Sequence, residues 1–217
     1  MFVSCPSFII PASRIENVRY LKGTVDEVEL LYMCSLSEYD FPDGEEVRAL
    51  ADTGMRFNVH MPYDRDLTKR SEWEFMAKFA DVLRPLCAHT HTFHIQPEDE
   101  FFRGLEWFRS ETDMSVTLEN GESDTASFAL SDDDICLDAG HMLMHGQDIS
   151  KLLSEYGERI KMFHLHGVND GKDHQSVRYF PDDMLMQIMQ FAKDKSLTVS
   201  LEVFNEADLK DSLTFLK

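Results

Sequence analysis

The chain has 217 residues, 43% hydrophobic and 28% charged, which suits one sizeable core and an ordinary soluble globular domain spanning residues 1–217. Its formal net charge is −19 and no Lys/Arg cluster offsets it, so a phosphate backbone is repelled and nucleic acid is not an expected partner. No stretch approaches the roughly 20 apolar residues of a membrane span, so no membrane partner is expected either.

The opening "MFVSCPSFIIPAS" has no basic segment before its apolar run and reads as a first strand, not a secretion signal. A helix follows near 13–22. "VDEVELLY" (25–32) precedes a helix near 44–53, and "FPDG" (41–44) reads as a turn. "RFNVH" (56–60) precedes a helix near 71–87, with Ser71 and Glu74 spaced as a capping box. "HTFHI" (91–95) precedes a helix near 99–110, and "SVTLE" (115–119) a short one near 122–130. "DICLD" (134–138) precedes a helix near 147–156. "IKMFHLH" (160–166) precedes one near 181–195, with Pro181 in its first turn, and "TVSLEV" (198–203) precedes one near 206–216.

Eight strand–helix units imply a parallel sheet, and eight most naturally close into a single (β/α)8 TIM barrel. An open doubly wound sheet is the alternative. It would normally carry a Gly-rich phosphate loop after its first strand, and "CPSFIIPAS" is not one. The four cysteines form no C-x-x-C pair, and three follow strand or helix patterns and read as small core residues. With no secretion signal, reduced thiols in a cytoplasm are the expectation.

His60, His94, His164, Glu119, Asp138 and Glu202 all fall at the C-terminal ends of these strands, and His141 and His174 lie just beyond two of them. Strand C-termini of a barrel open on one face, so these eight side chains should converge there. A lone strand histidine is usually a hydrogen-bonded core residue. Eight such groups at the same end of consecutive strands, however, would leave buried charge uncompensated without a cation, at several kcal/mol per group. The donors are all nitrogen and oxygen, which suits Zn²⁺, Mn²⁺, Fe²⁺ or Co²⁺. Eight are too many for one tetrahedral ion, whereas two ions need about six to eight. Glu29 lies inside an apolar strand and is a candidate supporting group inside the barrel. His166, two residues after His164, shares its face and is read as a ligand, a proton donor or a supporting partner.

The segments "NVHMPY", "TFHIQP", "TLENG", "LDAGHMLMHG", "HLHGVNDGKDH" and "SLEVF" resemble, in this order, the xylose isomerase-like barrel superfamily, over roughly residues 56 to 204. That group includes sugar isomerases and epimerases and the endonuclease IV type of AP endonuclease. The one-metal isomerases need a Glu, an Asp, a His and a final Glu, which Glu119, Asp138, His164 and Glu202 would supply. The endonuclease pattern adds two early histidines, one in D-x-x-H spacing and one in a late loop, matched by His60, His94, His141 and His174. Its late D-x-H is not kept: Asp173 adjoins His174 and Lys172 occupies the Asp position. The resemblance therefore implies two divalent ions, with the third site in doubt.

"SFIIPASRIENVRYLKGTVDEVELL", "NVHMPYD" and "HLHGVNDGKDHQSV" are most similar to the cobamide-remodelling phosphodiesterases, the CbiR family. This resemblance implies hydrolysis of the nucleotide-loop phosphodiester of a cobamide, a B12-type corrinoid, to cobinamide phosphate and the lower-ligand nucleoside. The partner is then a small-molecule phosphodiester. Glu119 would bridge the ions, and Glu119, His166 and Glu202 would be catalytic; Lys172 or Arg178, by position near the mouth rather than by the resemblance, would neutralise the phosphate. The competing expectation is a one-metal sugar or sugar-phosphate isomerase or epimerase in which Glu119 and Glu202 exchange protons.

Overall fold

The computed structural model describes residues 1–35, 41–121 and 125–216. Eight parallel strands close into a barrel in the order β1-β10-β7-β6-β5-β4-β3-β2: β1 (Phe2–Pro6), β2 (Glu27–Leu31), β3 (Arg56–His60), β4 (His91–His94), β5 (Val116–Glu119), β6 (Ile135–Asp138), β7 (Ile160–Leu165) and β10 (Thr198–Leu201). Helices α1 (Arg14–Leu21), α2 (Gly44–Ala51), α3 (Arg70–Leu83), α4 (Asp99–Thr112), α5 (Ala139–Met144), α6 (Ile149–Tyr156), α7 (Asp182–Lys195) and α8 (Glu206–Phe215) lie between and after them. The expected (β/α)8 barrel is the observed fold.

Period-2 alternation sorts the strand residues. Val28, Leu30, Phe57, Val59, Phe93, Leu118, Leu137, Phe163, Leu165, Val199 and Leu201 belong to the buried apolar core shared with the helices. The other set is buried as well but mostly polar: Ser4, Glu27, Glu29, Asn58, Thr92, Thr117, Ser200 and the site residues, with Leu31, Cys136 and Met162 among them. The lumen is therefore a hydrogen-bonded layer, with Asn58 Nδ2 donating to Ser4 Oγ at 3.1 Å and Thr92 Oγ1 3.0 Å from Thr117 Oγ1. Between α3 and α4, a Cβ on Gly104 would lie 2.0 Å from the Trp73 indole, so only glycine lets these helices close over that ring. Trp73, Phe101 and Phe108 are fully buried there, each contributing about 2–3 kcal/mol of apolar burial.

Several local expectations differ from the structure. The N-cap of α3 is Lys69, without a side-chain cap bond, so Ser71 and Glu74 form no capping box; the reciprocal box is at α1, between Ser13 and Glu16. The expected helix near 122–130 is a 3-10 segment over Thr125–Leu130, and residues 122–124 lie outside the described residues. Two cysteines are core: Cys5 and Cys136 are buried, Cys34 is half-buried and Cys87 is exposed in a left-handed turn. "FPDG" is a helix entry in which Asp43 Oδ1 caps α2.

Two elements were not expected, and both serve the mouth of the barrel. Helix α5 starts directly at β6, because the Asp138 carboxylate accepts the His141 N–H at 2.8 Å. A hairpin, β8 (Gly167–Asn169) and β9 (Lys172–Gln175), follows β7, and its turn residues Asp170 and Gly171 both have positive φ. Asp-Gly in that conformation is the preferred two-residue hairpin turn, because it matches the twist of the strands.

Candidate metal centre at the barrel mouth

The barrel register sets the first pairings: His94 is level with Glu119 and Asp138 with His164 on neighbouring strands. Three groups of possible ligands result among the described residues: His60, His94 and Glu119; Glu119, Asp138, His164 and Glu202; and His141, His166 and His174. All eight expected ligands are thus brought to one end of the barrel, and Glu119 belongs to two groups.

In the first group, His60 Nε2 lies 3.1 Å from His94 Nε2, and both lie 3.2 Å from Glu119 Oε2. His60 Nδ1 is 3.1 Å from the Met61 carbonyl, which accepts only if that nitrogen carries the proton. Nε2 then presents a lone pair to a carboxylate oxygen. Lone pairs facing one another at this distance repel unless a cation or a proton lies between them. Donors around a tetrahedral Zn²⁺ at about 2.0–2.1 Å are spaced by roughly 3.3 Å, which these separations match.

In the second group, His164 Nε2 is 2.9 Å from Glu29 Oε1, leaving Nδ1 to face Glu119 Oε1 at 3.0 Å and Glu202 Oε2 at 3.5 Å. Glu29 is fully buried and also accepts from Ser200 Oγ at 2.6 Å. It is the supporting group inside the barrel that its place in an apolar strand suggested. Burial opposes ionisation of Glu119, but the facing imidazoles of His164 and His94 hold its carboxyl well below the usual range. Burial pushes Glu202 well above it; His164 opposes that shift, while Glu119, Asp138 and Glu29 add to it. Among the described residues, eight buried side-chain polar atoms lack a hydrogen bond, and five of them are here: Glu119 Oε2, Asp138 Oδ2, His141 Nδ1, His166 Nε2 and Glu202 Oε2. The three carboxylate oxygens among them, buried and unpaired, fit divalent cations.

The third group depends on His166. Its Nδ1 accepts the His174 backbone N–H at 2.9 Å, so the neutral ring carries its proton on Nε2, 3.3 Å from Asp138 Oδ1. An Nε2–H donates and cannot ligate. This ring therefore anchors the β8–β9 hairpin through Nδ1, faces Asp138 with Nε2, and in this tautomer is not a third metal's ligand. It fits only because residue 140 is glycine: a Cβ there would lie 2.2 Å from the ring. His174 has the opposite polarity, with Nδ1 3.0 Å from the Glu202 carbonyl and Nε2 left for the site. His174 has φ 50°, which breaks the strand alternation. The adjacent Asp173 thereby also reaches the site, its Oδ2 3.7 Å from His174 Nε2 and 4.0 Å from His141 Nε2.

Two expected residues are not brought to the cluster. Arg178 pairs with Asp211 on α8 at 2.6 Å, and Lys172 is exposed on β9. A cavity of about 350 Å³ opens over the cluster, walled by Leu31, Met33, Tyr63 and Phe204, and among the described residues no Lys or Arg lines it. Tyr63 stacks on His94 and Phe204 lies against His174. Asp173, Tyr63 and Phe204 were not singled out as site residues. The Asp-Gly hairpin signal at 170–171 was the available clue to the first.

No protein-family model matches the sequence, and no curated protein matches it. Solved structures do. The chain is similar to a D-tagatose 3-epimerase-like protein (TM-score 0.79, 16% identity, covering 100% of this chain and 96% of that one). It is also similar to an AP endonuclease, family 2, from Brucella melitensis (0.74, 12%, 100% and 98%) and to a xylose isomerase domain protein from Alicyclobacillus acidocaldarius (0.70, 14%, 99% and 95%). The closed (β/α)8 barrel is the fold it shares with these structures. At these identities the likeness establishes fold alone. No helix among the described residues is long and apolar enough to cross a membrane.

Proposed function

We propose that the chain is a metal-dependent phosphodiesterase that binds two divalent ions and hydrolyses the nucleotide-loop phosphodiester of cobamides. The observation that carries the hydrolytic reading is the orientation of Glu119: Oε2 faces the His60–His94 pair and Oε1 faces His164. A one-ion isomerase needs only the Glu119, Asp138, His164 and Glu202 group, and the paired histidines would then have no cation to serve. The cobamide substrate rests on the sequence resemblance of residues 7–31, 58–64 and 164–177.

Two ions, when bound, supply Lewis acidity and a water acidified towards neutral pKa. Glu119 fixes the separation of the two groups through its two oxygens. His60 and His94 hold one side; Asp138, His164 and Glu202 hold the other. Glu29 fixes the His164 ring, and His166 fixes the Asp138 carboxylate. His141 and His174 face the rim beside Asp173, and the Glu202 carbonyl holds the His174 ring through Nδ1. Leu31, Met33, Tyr63 and Phe204 shield the cluster from bulk water. A water oxygen attacks phosphorus in line with the leaving oxygen; the P–O bond to the nucleoside breaks, phosphate stays on the corrinoid half, and the nucleoside oxygen takes up a proton.

The test is elemental analysis of the purified protein, then incubation with a cobamide and mass spectrometry of the products. The expected result is two ions per chain and cleavage to cobinamide phosphate and nucleoside. One ion per chain, with interconversion of an aldose and a ketose, would overturn it in favour of an isomerase. The four-residue group of Glu119, Asp138, His164 and Glu202 is the observation that keeps this second reading in play.

A further inference from the structure

A second cavity, of about 820 Å³, lies between α1 and α2 beside the metal centre. The two cavities share Leu31 and Met33 as walls. They are also joined through aromatic rings: Phe8 of the flanking cavity meets Phe204 of the metal cavity edge to face at 6.5 Å. The flanking cavity has apolar walls at Phe8, Ile15, Met33 and Phe41, and Phe8, Met33 and Phe41 are exposed by 54%, 40% and 36%. Large apolar side chains bared together beside a candidate catalytic centre need a ligand more than scattered ones do.

Charge narrows the choice of ligand. Asp43, Glu45 and Glu46 rim this cavity, and Arg14, the one cation among its described lining residues, pairs with Glu46 at 2.5 Å and lies 3.9 Å over the Tyr32 ring. An anionic group is disfavoured here; a bulky, apolar, neutral or cationic group with hydrogen-bond donors is favoured. The metal cavity, at about 350 Å³, has less than half the volume of the flanking one, at about 820 Å³.

We propose that the flanking cavity binds the bulky apolar half of the substrate while the phosphodiester lies over the metal centre. Resting on the proposed function, this half is the corrin ring of a cobamide, whose amide arms donate to the acidic rim and whose cobalt is cationic. The cavity thus sets specificity through KM, and a small phosphodiester does not need it.

Phe8→Asp removes an apolar wall, and Ala49→Trp fills the cavity from the α2 side; neither residue lines the metal cavity. Three measurements follow on the metal-loaded protein: affinity for cobinamide, kinetics on a cobamide, and kinetics on bis(p-nitrophenyl) phosphate. The expected result is that both variants weaken cobinamide binding and raise the cobamide KM by about tenfold or more, with the small ester and kcat unchanged. Cobinamide that fails to bind wild type, binds both variants equally well, or loses affinity in parallel with small-ester turnover overturns the cavity assignment. Loss of all phosphodiester cleavage in metal-loaded wild type overturns the hydrolase reading instead, and cobinamide binding then still decides the cavity.

Discussion

Oε1 of Glu29 lies 2.9 Å from Nε2 of His164, fully buried at the floor of the metal centre. Glu29 touches no other proposed ligand directly at hydrogen-bond distance; it fixes which nitrogen of His164 carries the proton and so which one faces Glu119. Carboxylate partners of ligating histidines typically govern metal affinity by about 10–100-fold. Glu29→Gln is expected to weaken binding of the ion in the Asp138 group by that factor with the fold intact. Competition against a chromophoric chelator measures it, and unchanged affinity would refute the linkage.

His60→Ala and His94→Ala should each release one ion and leave the other, because the Asp138, His164 and Glu202 side is untouched. Phosphodiester cleavage should fall by about 10²-fold or more, since two-metal hydrolysis needs both. Metal content per chain, measured beside the rate, checks this. Loss of both ions would show that the groups are not separable.

Gly140→Ala should destabilise the protein by about 1–3 kcal/mol, because the added methyl overlaps the His166 ring. Gly140 has no positive φ, so the cost is steric rather than conformational. In a His166→Ala background the same change should cost far less. Thermal unfolding of the four proteins closes the cycle, and additive losses would mean that the overlap is not the cause.

His91, at the start of β4 and away from the metal centre, is pushed down to about 4 by burial, against the hydrogen bond its Nδ1 donates to the Ser115 carbonyl, which raises it. The folded state thus binds this proton less readily than the unfolded chain. The stability involved is present above about pH 6.5 and is lost as pH falls towards 4, by roughly 2–3 kcal/mol. His91→Gln should be less stable than wild type at pH 7, with the gap narrowing by about that amount at pH 4.5 in urea unfolding. A gap independent of pH would contradict this.

Duplex DNA with an abasic site should be cleaved poorly or not at all, despite the fold shared with an AP endonuclease. The net charge of −19 and a site cavity with no Lys or Arg among its described lining residues disfavour anchoring of a phosphate backbone. Robust nicking of such a duplex at physiological salt would overturn the small-molecule assignment.

The order of strands and the ligand residues at their ends were legible in the sequence because both follow from local rules. Their positions at strand C-termini put His60, His94, Glu119, Asp138, His164 and Glu202 at the open face of the barrel, and eight strand–helix repeats implied closure. The capping box at Ser71 was misread because any Ser with a Glu three residues on fits the pattern, and a helix can begin a residue earlier for tertiary reasons. Lys172 and Arg178 were placed by nearness in sequence, which the hairpin and Asp211 redirect.

What the sequence by itself determined was the inventory: a barrel, eight nitrogen and oxygen donors, and the end of the barrel that carries them. Only the tertiary structure decided which nitrogen of each ring is free. That depends on partners far away in the chain, such as Glu29 for His164 and the Glu202 carbonyl for His174. It also decided that His166 serves Asp138, because its Nδ1 accepts a backbone N–H from a hairpin folded back over it. Residue spacing fixes which face a side chain points to, but the direction of a proton is set by three-dimensional neighbours.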